Sequence, residues 1–160
     1  MKIINFSKIL PLLLIAGTFY CGEQTNPLPE SLNGYKRTQF LQGKEAEEFV
    51  NRLHLKTVVS EKSEIAFYQK NQEDLKIYIT HYASAESAET EKQKMVDKII
   101  QTPGIFIKGK NLTIEDLDVF RCFGMGQTHY IFNIAEKLFW VSCDTMTAAD
   151  FISYYLDYLD

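Results

Sequence analysis

The chain of 160 residues carries 17 Lys and Arg against 21 Asp and Glu, a net charge of −4, and 46% of it is hydrophobic. That size and apolar share suffice for one domain with its own core. The acidic balance argues against nucleic acid as a partner and against electrostatic docking on anionic lipid, since both need an excess of Lys and Arg.

Lys2 and Lys8 open the chain, an uncharged and mostly apolar run follows from Ile9 to Tyr20, and Cys21-Gly22 comes directly after it. A basic start with a short apolar run is the layout of a secretory signal, and the run falls short of the ~20 residues that span a bilayer. A cysteine at the end of such a segment resembles the processing site of bacterial lipoproteins. With Thr18 and Tyr20 upstream of it, the match is to the looser, spirochaete-like motif. The resemblance implies cleavage before Cys21 and a lipid on its thiol. It also implies a place in the bacterial cell envelope, on the outer membrane or facing the periplasm, with the acyl chains as the membrane anchor. Residues 1–20 are then the signal, 21–33 the lipidated cysteine and a flexible tether, and 34–160 a single α+β domain. Loss of residues 1–20 leaves 140 residues and removes two lysines and no acid, taking the charge to −6. The competing reading is an ordinary cleaved signal with Ala16-Gly17-Thr18 as its small-x-small site and Cys21 a free thiol. With Cys21 lipidated, Cys122 and Cys143 remain as an even pair, a candidate disulfide in an oxidising compartment.

Gly22–Leu32 holds two prolines among polar residues, which is linker composition. Asn33-Gly34 signals a turn and Tyr35–Leu41 a short strand. Gly43–Leu55 puts Ala46, Phe49, Val50 and Leu53 on one helical face, with acids near its start where the helix dipole favours them. Thr57–Ser60 and Ile65–Lys70 are strand-like, Asn71–Asp74 is a polar turn, and Leu75–Ser84 alternates as a strand hairpinned to the one before it. Glu86–Thr102 is a helix capped by Ser84, striped by Ala88, Met95, Val96, Ile99 and Ile100, and stopped by Pro103-Gly104. Phe106–Ile114 reads as a strand or extended loop interrupted by Lys108–Asn111. Leu117–Phe123, Thr128–Ala135 and Leu138–Cys143 form a meander with turns at Gly124–Gln127 and at Glu136-Lys137. Thr147 caps a last helix, Ala148–Leu159. The expected fold is a two-layer α+β domain: an antiparallel sheet of about five to seven strands with three helices mainly on one face.

Those registers sort the meander into a core face and a mixed face. Val119, Phe123, Tyr130, Phe132, Phe139, Val141 and Cys143 fall on the first. Phe120, Cys122, His129, Ile131, Asn133, Trp140, Ser142 and Asp144 fall on the second. Cys122 and Cys143 therefore sit on opposite faces, which opposes the disulfide unless a bulge at Gly124 or Gly126 reverses one of them. His129 is set opposite Cys122, with Asp144 opposite His129, a grouping able in principle to bind zinc or to act as nucleophile and base. No ligand spacing of the Cys-x-x-Cys or His-x-x-x-His kind accompanies it. A half-buried strand histidine is the plainer account, and no cofactor is expected. Gly124-x-Gly126 lacks the third glycine of a dinucleotide loop. Glu115, Asp116 and Asp118 lack the EF-hand pattern.

Nine Tyr, eleven Phe and one Trp make aromatics prominent. Tyr35, Tyr68, Tyr78, Tyr82, Tyr130 and Trp140 fall on or near strands, where aromatics are common in any case, and an open face would make them a binding platform. The leading expectation is a non-enzymatic envelope lipoprotein that binds another envelope protein or a small apolar ligand around His129, Asn133 and Trp140. The alternatives are a metal-dependent or thiol enzyme using Cys122, His129 and Asp144, and a structural spacer without ligand.

Overall fold

Five turns of two residues each decide how the strands pair. They are Asn33-Gly34, Asn71-Gln72, Glu115-Asp116, Met125-Gly126 and Ala135-Glu136. Each has at least one residue at positive φ, and three have both, at Asn33-Gly34, Glu115-Asp116 and Met125-Gly126. Such turns match the right-handed twist of the strands they join, so the chain returns antiparallel to itself at each one. A computed structural model describes residues 25–54, 62–102 and 104–160. In these the elements are β1 (Ser31–Leu32), β2 (Tyr35–Gln42), α1 (Lys44–His54), β3 (Ser63–Lys70), β4 (Glu73–His81) and α2 (Ala85–Gln101). After them come β5 (Phe106–Ile114), β6 (Leu117–Gly124), β7 (Gln127–Ile134), β8 (Lys137–Asp144) and α3 (Ala148–Leu159). The expected signal segment, Cys21 and the expected strand at Thr57–Ser60 lie outside the described residues.

The strands form one antiparallel sheet of eight, in the order β1-β2-β3-β4-β8-β7-β6-β5, rather than the expected five to seven. The short β1 and the fully paired β5 make up the difference. After β4 the chain leaves for the far edge, four strands away, or ~19 Å at the usual strand spacing. α2 makes the crossing: its 17 residues give ~25 Å of helix. Ser84 caps it as expected, its hydroxyl accepting from the Ser87 N–H at 3.2 Å. Ala88, Lys92 and Val96 face the sheet. The buried Lys92 keeps its ammonium on Glu89 at 2.7 Å while its stem covers apolar surface.

Helices lie on both faces of the sheet, so the two-layer expectation gives way to a helix–sheet–helix sandwich. On one face α3 brings Phe151, Ile152, Tyr155 and Leu156 onto Ile77, Ile79, Tyr130, Phe132, Phe139 and Val141. On the other, α2 covers Phe120, Cys122, Ile131 and Leu138, and Phe49 of α1 meets Phe67 and Tyr78. The meander residues sort between these faces as their alternation requires. Thr147 precedes α3 without capping it: its hydroxyl reaches Glu73 Oε2 at 3.3 Å, which also accepts from the Tyr35 hydroxyl at 2.5 Å.

Part of the expected tether, Asn26–Glu30, packs on the domain. Leu28 and Leu32 are buried in the α3-side core. Five consecutive carbonyls of this strap have donors: Asn26 from Tyr158 Oη (2.9 Å), Pro27 from Tyr155 Oη (2.7 Å), Leu28 from Arg37 Nη1 (2.5 Å), Pro29 from Tyr68 Oη (3.0 Å) and Glu30 from the Arg37 N–H (2.9 Å). Pro27 and Pro29 have no N–H to satisfy, and the Leu28 N–H donates to Asn26 Oδ1 at 3.0 Å. A segment with almost no strand partner, half-buried around Leu28, thus has every carbonyl from Asn26 to Glu30 met. Within the described residues, the stretch from Asn26 to Glu30, whose composition reads as linker, is a strap docked on the domain.

Gly124 is the tightest point of the β5–β6 edge. A Cβ there would lie 2.8 Å from the Ile105 carbonyl oxygen and 2.5 Å from the Phe106 ring. Gly124→Ala is expected to cost about 1–3 kcal/mol, as overpacked positions do, read as a lowered urea midpoint at unchanged m-value.

Candidate functional site

β6, β7 and β8 bring the candidate residues together beneath α2. Cys122 and His129 are cross-strand partners, as the sequence register expects. Asp144 is not opposite His129. The β7–β8 turn uses Ala135-Glu136, one residue earlier than expected, so His129 faces Ser142 and Asp144 pairs with Gln127. The slip is two residues, which preserves the faces and changes the neighbours. Asp144 Oδ1 accepts from the Met146 N–H at 2.8 Å and belongs to the turn leading to α3.

His129 is 4% exposed and both ring nitrogens are engaged. Nε2 lies 2.9 Å from the Gly124 carbonyl oxygen, which can only accept, so Nε2 carries the proton. Nδ1 accepts from Trp140 Nε1–H at 3.1 Å and shares its lone pair with the Ser142 hydroxyl at 2.8 Å. The imidazole is therefore neutral and held in one tautomer, with Phe106 edge-on to both its ring and the Trp140 indole. Burial, first, lowers its pKa, with the Lys76 charge acting in the same direction and the Gly124 carbonyl opposing. A second proton would set an Nδ1–H against the indole N–H.

No nitrogen is left to activate Cys122. That thiol is buried and burial pushes its pKa up to about 11; Cys143 is pushed up to about 12, mainly by burial and then by the Asp144 charge. Both are poor nucleophiles in that state. Cys122 faces α2 and Cys143 faces α3, and both are free thiols, so the candidate disulfide is absent. The register that opposes the bond holds, and no bulge intervenes between β6 and β8. Among the described residues no three His, Cys, Asp or Glu side chains converge as metal ligands.

The expected open platform is mostly roofed over. Tyr35, Tyr68 and Tyr130 are core residues of the α3 side. On the α2 side, Trp140 and Asn133 are half-buried and His129 is closed off. Asn133 pairs with Leu138, two same-face steps along β7 from His129, so it takes no part in the His129–Trp140–Ser142 group. Sequence reasoning missed Ser142 and the Gly124 carbonyl as the partners of His129. The polar Ser142 on a strand of buried residues was the signal for the first, and a backbone acceptor leaves no sequence signal. Compared with protein-family models, with curated proteins and with solved structures, the chain matches none of them.

The arrangement is a neutral, fully bonded histidine that ties three strands together. It is suited to holding structure rather than to moving protons. His129 keeps a folded-state pKa below its unfolded value of about 6.5, and His81 is shifted the same way, chiefly by burial. Their stabilisation is complete above about pH 6.5 and is lost as pH falls through the lowered folded values, because the unfolded chain takes up protons first, at up to ~1.4 kcal/mol per pH unit for each group. Chemical denaturation at pH 7.5, 6 and 5 checks this. The His129→Gln variant should show a shallower fall, the His81 share remaining. Trp140, the chain's one tryptophan, reports the transition by its fluorescence.

Proposed function

We propose that the protein is an envelope lipoprotein, anchored by acyl chains on Cys21, whose domain is a non-enzymatic binding module. The reading is supported first by the sequence before Cys21: a basic start, a short apolar run and a cysteine at its end. The observation that carries it further is the docking of Asn26–Glu30. Only five residue steps separate Cys21 from Asn26, and a chain of that length reaches at most ~18 Å. An acyl group on Cys21 would hold the strap end of the domain, which Ile134–Lys137 and Leu159 share, within that reach of its membrane.

Between the two kinds of ligand expected, an envelope protein is better supported than a small apolar molecule. A depression of about 330 Å³ beside the start of α2 is lined by Tyr82, Glu86, Ser87, Thr90 and Glu91, and two carboxylates suit no apolar ligand. His129 in the proposed module is a structural residue, and only the rims of Trp140 and Asn133 remain for contact.

Intact mass of the protein recovered from native membranes tests the anchor. The expected result is residues 21–160 plus acyl groups; cleavage elsewhere with an unmodified Cys21 would sink the lipoprotein reading. Cys21→Ser is expected to release the protein from the membrane fraction with its urea midpoint unchanged, since every side chain of the core from Leu28 to Leu156 is kept.

A further inference from the structure

Four large apolar side chains, Ile100, Ile105, Ile107 and Met125, stand 57–73% exposed at the corner where α2 ends and β5 begins. The pairing of Phe106 with Gly124 sets Ile105 and Met125 side by side just beyond that pair. Ile99, the neighbour of Ile100, packs in the same cluster as Phe106. The corner also departs from the charge of the rest of the chain. Residues 98–114 hold Lys98, Lys108 and Lys110 and no acid, in a chain of net charge −4. Asp97, next to Lys98, accepts from Gln93 Nε2 at 2.7 Å, and Asp144, opposite Gln127, accepts from the Met146 N–H at 2.8 Å.

Part of this has a purely architectural cause. β5 is an edge strand, and the bulge between Ile107 and Lys110, with a lysine on either side of Gly109, guards it against pairing with another strand. That accounts for Lys108, Gly109 and Lys110. It gives no reason for exposed isoleucines at 100, 105 and 107.

We propose that this corner docks on an anionic bilayer surface. The centres of protein–protein interfaces favour aromatic residues and arginine and are poor in lysine. Exposed aliphatic side chains beside lysines fit a lipid interface instead: the aliphatics enter the acyl boundary, while lysine stems lie along it and their ammonium groups meet headgroup phosphates. The inference is independent of lipidation at Cys21. The corner is at the opposite end of the sheet from the strap, an eight-residue strand or ~26 Å away, so the anchor and the docking surface would touch lipid at different ends of the domain.

The test uses the full chain with Cys21→Ser and a solvatochromic dye on Thr102→Cys, an exposed position between Ile100 and Ile105. Cys122 and Cys143 are buried and stay unlabelled. Vesicles of phosphatidylglycerol and phosphatidylcholine should shift the dye emission to the blue, and phosphatidylcholine alone should not. The double variant Ile105→Asp/Ile107→Asp alters only exposed side chains and should lose the shift while keeping residues 1–20, so insertion of that segment is separately accounted for. Each Lys→Gln change at 98, 108 or 110 should weaken binding about fivefold. An equal shift in the double variant, or none with anionic vesicles, overturns the proposal. A shift produced by soluble polyglutamate in place of vesicles also overturns it and assigns the corner to an acidic polypeptide.

Discussion

The antiparallel pairing of β4 with β8 is the constraint on which the rest of the sheet depends. β1 to β4 are joined locally, as are β5 to β8, and within the described residues this ladder is the only strand pairing between the two groups. It runs from Lys76↔Ser142 to His81↔Lys137, between residues about 60 positions apart. Ile77 against Val141 and Ile79 against Phe139 bury its α3 side completely. Tyr78 against Trp140 forms part of its other side. Without it each group would expose a new edge and lose the core beneath α3. Bringing such distant segments together is entropically costly, and the length of α2 is what lets β5 start far enough out for β8 to return to the centre.

The His129 group gains meaning in that setting. Its members come from β7, β8 and the end of β6, immediately beside the central ladder. A buried imidazole with an indole, a hydroxyl and a carbonyl as partners fixes the relative position of three strands where apolar packing alone would tolerate sliding. A buried polar group of this kind is costly when partly satisfied and specific when fully satisfied. Here both ring nitrogens are satisfied. The same bonds that make His129 a good positioning residue deny it to Cys122 as a base.

The sequence pattern makes much of this legible, and the exceptions have physical causes. Alternation along β6, β7 and β8 assigns every meander residue to its observed face, since side-chain direction in a strand has a period of two. Helices α1, α2 and α3 are legible from their spacing, within a residue or two of their ends. What amphipathicity does not encode is which face of the sheet a helix covers, so α3 and α2 on opposite sides could not be read. The Ala135-Glu136 turn is hidden because alanine seldom takes the positive φ, 49°, that it adopts here. Placing that turn one residue late moved Asp144 into the place of Ser142. Asn26–Glu30 misleads for a different reason: proline suits flexible linkers, and equally suits a docked strap that has few hydrogen-bond donors to satisfy.

That strap joins the two ends of the described chain. Its carbonyls at Asn26 and Pro27 are met by Tyr158 and Tyr155, more than 125 positions later. A ribosome or a translocation pore delivers the strap more than 125 residues before these tyrosines. Throughout that interval Leu28 and Leu32 have no core to enter, and the sheet face that α3 closes stays open. Completion of the α3-side core is therefore tied to delivery of α3. A polypeptide halted before Ala148 would hold all eight described strands and lack the helix that locks the strap in place.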